Sequence, residues 1–147
     1  MSDKLRPQFE ALRLVSAKVD NSGVRANKVP WQFEVSKEIE VGVAYPNIEG
    51  IPILGVLKIR IIANGTQHDA EDVKASLEAS YEAVFKFDAS VSAPEVAQAM
   101  EKDDDLQYLL SVQAATLAGT SFRALVQTCG LDRKSTRLNS SHDDVSR

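Results

Sequence analysis

Residues 72–88 read DVKASLEASYEAVFKFD, and the reading of this stretch decides the fold. Its odd positions, Val73, Ala75, Leu77, Ala79, Tyr81, Ala83, Phe85 and Phe87, are all apolar or aromatic. Its even positions, Lys74, Ser76, Glu78, Ser80, Glu82 and Lys86, are polar or charged, with Val84 the one exception. A period of two places one face on a core and the other in water, whereas at helical spacing the same residues would scatter around the wheel. Alanine and glutamate favour helix, so local propensity opposes the pattern here. The alternation predicts a long antiparallel strand with one wet face.

Working back from it, Ile53 to Ala63, ILGVLKIRIIA, puts Ile53, Leu57, Ile59 and Ile61 on one face and Lys58 and Arg60 on the other. Asn64-Gly65 is a tight-turn signal, with Thr66 to Glu71 widening it into a connection. Further upstream, in WQFEVSKEIEVGVAY, the residues Trp31, Phe33, Val35, Ile39, Val41, Val43 and Tyr45 alternate with Gln32, Glu34, Ser36, Glu38, Glu40 and Gly42. Lys37 intrudes on the apolar set, as at a bulge or near an edge, and Pro30 and Pro46 bound the run. Phe9 to Asp20 has a mixed pattern compatible with helix; Asn21-Ser22-Gly23 as turn punctuation favours strand. On the wet face, Glu34, Glu38 and Glu40 oppose Lys58 and Arg60, which in turn oppose Glu78 and Glu82, a cross-strand arrangement that disfavours wrong registers.

After Asp88 the period changes. Ser92 and Glu95 form a capping box with Pro94 in the first turn, predicting a short helix to about Lys102. Asp103-Asp104-Asp105 then leads a run to Cys129 that presents Leu106, Leu109, Leu110, Leu117, Phe122, Leu125 and Val126, and Gly130 stops it. The expected fold class is therefore α+β: a four-stranded antiparallel meander followed by a short helix and one long helix packed on the sheet. Residues 1–131 make a single domain.

The segment 132–147, DRKSTRLNSSHDDVSR, breaks the pattern, since only Leu138 and Val145 could serve a core. Its composition predicts a disordered tail. Asp132 to His142 also resembles an in-frame translation of a sequencing adapter. On that reading the tail is non-native and the domain is truncated after Leu131.

The whole chain of 147 residues carries a formal charge of −4; residues 1–131, with 13 Lys and Arg against 18 Asp and Glu, carry −5. With no basic cluster, nucleic acid is not the expected partner. No run of 18 consecutive apolar residues occurs, so membrane insertion is not expected. A single cysteine, Cys129, allows no internal disulfide and is compatible with a reducing compartment.

Little catalytic chemistry is on offer. Once the tail is set aside, His68 is the sole histidine, which argues against a metal site and against an activated Cys129 nucleophile. His68-Asp69 with Glu71 and Asp72 reads as a solvated turn. Asp103 to Asp105 lacks the spacing of a calcium loop and reads as helix-start electrostatics. The glycines form no phosphate-binding motif. No cofactor is expected. The aromatic set Trp31, Phe33, Tyr45, Tyr81, Phe85, Phe87 and Phe122 exceeds what one helix of small residues can cover, pointing to an apolar groove or an oligomer interface.

Three segments carry a family resemblance: LEASYEAVFKFD (Leu77 to Asp88), the spacer SAPEVAQAMEKDDDLQ, and YLLSVQAATLAGTSFRALVQTCGL (Tyr108 to Leu131). Together with the element order they resemble the SecB export-chaperone family over roughly residues 9–131. Family members continue into a proline-containing linker and a second helix, where this chain has the adapter-like tail. The resemblance implies a cytoplasmic tetramer with no enzymatic activity that binds unfolded polypeptide clients, for protein transport and translocation or to protect an antitoxin. It implies that Trp31, Phe33, Tyr81, Phe85 and Phe122 contact clients or another subunit. It also implies that Glu34, Glu38 and Glu40 form an acidic face for an export motor protein. Two alternatives stay open: a small-molecule-binding, hotdog-like domain, which wants its long helix early in the chain, and a non-enzymatic interaction protein.

Overall fold

A computed structural model of the chain describes residues 6–20, 31–44, 51–67, 70–131 and 137–139. Four long strands, β1 (Gln8–Asp20), β2 (Trp31–Ala44), β3 (Leu54–Gln67) and β4 (Ala70–Lys86), precede α1 (Ala93–Lys102) and α2 (Asp104–Thr128), and a short β5 (Arg137–Asn139) follows. The fold is α+β, as the period switch predicts, with four antiparallel strands and two helices. The sheet order is β1-β4-β3-β2-β5. Sequential neighbours thus run through β2, β3 and β4, while β1 lies against the far side of β4. By packing, the chain divides into two compact units, each holding part of every long strand.

The first unit comprises Met1–Arg13, Ile39–Ile59 and Tyr81–Leu117. Its interior is built from Leu57 and Ile59 of β3, Tyr81, Ala83 and Phe85 of β4, and Phe87 and Val91 beyond it. Val96, Ala99 and Met100 of α1 and Leu106, Leu110 and Ala114 of α2 complete it. Full burial of each large apolar side chain is worth about 1.5–3 kcal/mol. Phe9 meets Phe85 edge to face at 5.7 Å, the favoured aromatic geometry. Gly55 lets α1 approach β3: a Cβ there would stand 3.0 Å from Met100 Cε and 3.2 Å from Phe87 Cε2.

Local capping sets the two helices. The Ser92 hydroxyl accepts from the Glu95 amide while the Glu95 carboxylate accepts from the Ser92 amide, the capping box read in the sequence. Asp103 serves both helices at once. Its amide donates to Ala99 O at 3.0 Å to close α1, and its carboxylate accepts from the Leu106 amide at 3.1 Å to open α2. Gln107 Nε2 donates to Met100 O at 2.6 Å and ties the corner.

The second unit comprises Leu14–Glu38, Arg60–Ser80 and Ala118–Arg147. Phe33, Ile61, Ala63, Ala75, Leu77 and Ala79 from the sheet and Ala118, Phe122, Val126 and Leu131 from the α2 side are its buried residues. Gly130, at φ +75°, ends the helix as expected: its amide donates to Gln127 O and the Leu131 amide to Val126 O. That is a Schellman closure, with Leu131 and Val126 both buried.

Several boundaries differ from the sequence reading. Asn64 and Gly65, a tight-turn signal, lie inside β3, and the strand runs on to Gln67. The reason is tertiary: Phe33 on β2 lies over Gly65, where a Cβ would meet the ring at 2.5 Å. Here glycine makes room for an aromatic ring across the ladder. The 132–147 segment, expected without regular structure, contributes the strand Arg137–Asn139, parallel to β2. An open strand edge is a template for any extended segment, which overrides composition here. The Asn21-Ser22-Gly23 turn, Tyr45 and His68-Asp69 lie outside the described residues. By length and composition α2 is also apolar enough to cross a membrane, although it holds no unbroken run of 18 apolar residues.

Candidate functional site

On the dry face β3 and β4 bury every described position from Leu57 to Ala63 and from Ala75 to Phe85 in their odd register. β2 does not. Phe33 is fully buried, but Val35, Ile39 and Val43 are only half covered, and Lys37 and Val41 are exposed. Lys37, the sequence's intruder, sits at this thin margin; in the second unit its Nζ lies 3.9 Å from where a Gly119 Cβ would be. A charged terminus on a flexible stem is tolerated only because the position reaches water.

Among the described residues, the outer edge of β2 takes up a further short strand. Gln32, Phe33 and Glu34 pair with Arg137, Leu138 and Asn139 in parallel register. Polar, apolar and polar residues fall in step along both strands. From Val35 to Ala44, β2 has no further strand beside it among the described residues. A strand border is adhesive because its backbone donors and acceptors can pair with an added segment.

Of the predicted contact residues, Phe33, Tyr81, Phe85 and Phe122 are at most 3% exposed. On α2, Ala114 in the first unit and Ala118 in the second are completely buried. Of Trp31 the structure describes the strand position alone. Glu34, Glu38 and Glu40 are all exposed, as the alternation requires.

In the second unit Arg60 bridges Glu78 at 3.0 Å and Glu38 at 3.4 Å, joining β2, β3 and β4. The hydrogen bond and charge of Glu78 raise the Arg60 guanidinium's pKa, and the bond to Arg60 holds the Glu78 carboxyl below the usual range. The second unit also holds a cleft of about 600 Å³ whose lining includes Asp20, Gln32, Glu34, Asn64 and Lys74. In the first unit Arg13 pairs with Glu82 and Lys86 with Glu10, and Glu40, Gly42, Val56, Lys58 and Glu82 are among the residues lining a smaller cleft of about 280 Å³. Among the described residues no three His, Cys, Asp or Glu side chains gather to hold a metal. Cys129 is half-buried at the end of α2.

Exposed apolar residues that the sequence reading missed lie on β1 and α2. Leu14, Val15 and Val19 are 44–52% exposed on the sheet-border strand, and Tyr108, Leu109 and Val112 are 42–73% exposed on the first half of α2. Their signal was present: Leu14 and Val15 are consecutive, so one of them must leave the core face. The buried row on α2 steps by four, through Leu106, Leu110 and Ala114 in the first unit and Ala118, Phe122 and Val126 in the second, which leaves Tyr108, Leu109 and Val112 outside it.

The architecture is similar to that of a SecB-like chaperone. That protein, from Mycobacterium tuberculosis, was solved in complex with a ChAD peptide from the HigA1 antitoxin; it shares 14% identity over 97% of this chain and 92% of its own, with a TM-score of 0.46. No protein-family model and no curated protein sequence matches the chain. The order of elements bears on the hotdog alternative, since α2 follows all four long strands instead of preceding them.

Proposed function

We propose that this protein is a non-enzymatic chaperone of the holdase type, which binds extended segments of unfolded polypeptides and keeps them from aggregating. The observation that carries this reading is the β2 edge, which takes up Arg137–Asn139 as an added parallel strand. Strand addition draws its affinity from main-chain hydrogen bonds, so it tolerates many sequences, as a holdase must. In the same unit the half-covered Val35 gives this strand an apolar position for client side chains. The sequence resemblance to the SecB family supports the same assignment.

In the finer reading the protein acts in the cytoplasm as a homo-oligomer, a tetramer by that resemblance. Leu14, Val15 and Val19 on β1 and Tyr108, Leu109 and Val112 on α2 are the apolar surfaces available for subunit contact. Glu34, Glu38 and Glu40 would steer a basic segment of an export motor protein. A client held for export and an antitoxin held against degradation both present the extended apolar chain that the β2 edge fits.

Aggregation of a chemically unfolded, reduced client tests this, followed by light scattering on dilution. Suppression at near-stoichiometric chaperone is expected, together with a complex on size exclusion. Scattering unaffected by a several-fold excess of the protein would sink the holdase reading, and uptake of an acyl or aromatic small molecule instead would favour a ligand-binding domain.

A further inference from the structure

The cleft of about 600 Å³ in the second unit is bordered by all four long strands, and every even-numbered residue that lines it is polar. We propose that this cleft binds the zwitterionic head of an α-amino acid. The Glu34 carboxylate takes the ammonium, the Lys74 ammonium takes the carboxylate, and Asn64 lies between them. This goes beyond the holdase reading and does not rest on it.

Strand register places these residues in one row. Arg60 on β3 bonds Glu38 on β2 and Glu78 on β4. Along antiparallel strands, a forward step on one matches an equal backward step on its neighbours, and an even step keeps the face. Moving from Arg60 to Asn64 therefore carries Glu38 to Glu34 and Glu78 to Lys74, and all three of Glu34, Asn64 and Lys74 line the cleft. The same β2–β3 register sets Phe33 opposite Gly65, where its ring lies. In the Arg60 row the middle residue is a cation, and it bonds the carboxylates on both sides. In the next row but one the middle residue is the neutral Asn64. Glu34 and Lys74 thus stand two strand spacings apart, roughly 9–10 Å at the backbone. Among the described residues neither makes an ion pair, whereas Asp20 at the β1 border is already engaged. The cleft is left with one anion and one cation to satisfy.

An α-amino acid matches that spacing. Its N–Cα–C frame holds the ammonium nitrogen and the carboxylate carbon about 2.5 Å apart. Charge-assisted contacts of about 2.8 Å at each end bring the whole span to roughly 8 Å. Side chains leaning inward from strands so spaced meet it. Gln32, Thr66 and Ser76 add amide and hydroxyl groups to the lining, which suit a polar ligand side chain. A ligand with a single charge would leave either Glu34 or Lys74 unmatched, and this is the basis of selectivity.

Titration of the full chain with L-glutamine, followed by nitrogen–proton correlation NMR, tests this. The backbone resonances of Glu34, Asn64 and Lys74 are expected to shift and saturate with a Kd on the order of 1 mM, the range that exposed ion pairs allow. N-acetyl-L-glutamine and L-glutaminamide each lack one of the two charges and should bind about tenfold or more weakly. Glu34→Gln and Lys74→Gln, both at exposed positions, should each weaken L-glutamine binding by a similar factor. Lys58→Gln, in the first unit, should leave the Kd unchanged. Resonances that stay in place or shift without saturating would overturn the proposal, as would equal affinity for the blocked derivatives or unchanged affinity in both cleft variants. The derivatives are compared on the parent chain, so that arm decides the matter even where a variant fails to fold. The light-scattering assay reports the holdase reading separately, and neither result bears on the other.

Discussion

Replacing Gly65 by alanine sets two effects of opposite sign against each other, and the structure says which should win. Within a strand, glycine costs about 0.5–1 kcal/mol relative to alanine through lost backbone entropy, so an unhindered Gly→Ala change should stabilise. At Gly65, however, the new Cβ would stand 2.5 Å from Phe33 Cε1, 2.8 Å from Cδ1 and 2.9 Å from Cζ. Restoring ordinary contact at about 3.5 Å requires a shift of roughly 1 Å between ring and strand. Phe33 is 0% exposed, so its ring cannot swing into solvent. Overpacking of this kind costs about 1–3 kcal/mol. After the entropic gain is subtracted, a net loss of about 0.5–2 kcal/mol is expected. In urea, with a slope of about 2 kcal/mol per molar, the midpoint should fall by about 0.3–1 M.

The assay is equilibrium urea unfolding of four chains: parent, Gly65→Ala, Phe33→Leu and the double variant. Trimming the ring relieves the clash, so Phe33→Leu should cost clearly less in the alanine background than alone, and the coupling should exceed 0.5 kcal/mol. Gly42→Ala supplies the control, since its nearest neighbour would be Val56 O at an ordinary 3.8 Å; that variant should be neutral or slightly more stable. A midpoint for Gly65→Ala equal to or above that of the parent would refute the packing argument, and additivity of the two substitutions would refute the assigned partner.

Further expectations concern the helix corner, the wet face and the sheet border. Asp103→Ala removes the carboxylate that caps α2 at the Leu106 amide and should cost about 1 kcal/mol in the same urea assay, where an unchanged midpoint would count against the cap. Because Arg60 lowers the folded-state pKa of Glu78, the pair stabilises above the unfolded carboxylate pKa and stops doing so as the pH falls through the lower folded value. Glu78→Gln should therefore be less stable than the parent near pH 7, and the gap should close below about pH 4; a gap independent of pH would contradict the assignment. Val15→Lys with Val19→Lys places charges on the exposed border strand, where lysine discourages edge pairing. A smaller mass by light scattering than that of the parent is expected, and an identical mass would exclude β1 from subunit contact.

What could be read from the amino acids was whatever short-range chemistry dictates. The alternation of Asp72–Asp88 survives as β4 because a period of two permits one arrangement against a core, despite the helix-favouring alanines and glutamates. The Ser92–Glu95 box, the acidic start of α2 and the Gly130 stop also appear as read, since each satisfies backbone groups within a turn of itself. Asn64-Gly65 misled because a local turn signal cannot reveal that a ring from β2 claims the space above the glycine. The number of aromatic residues implied an uncovered face, whereas Phe33, Tyr81, Phe85 and Phe122 are each at most 3% exposed, a burial set by residues distant in the chain.

The candidate site was the least legible part. Alternation identifies β2 as a strand with one apolar face, but it carries no information on which strands border the sheet. That depends on β1 joining β4 instead of β2, a long-range pairing that leaves the outer edge of β2 open for β5. Lys37 was the single local hint that this strand lies near an edge. By itself the sequence determined the four long strands, the helices, their caps and the fold class, because these follow from periodicity and nearby hydrogen bonds. Only the tertiary structure decided which aromatic rings are core, which apolar residues stay exposed, and which backbone edge is open to another strand, because those depend on neighbours far away in the chain.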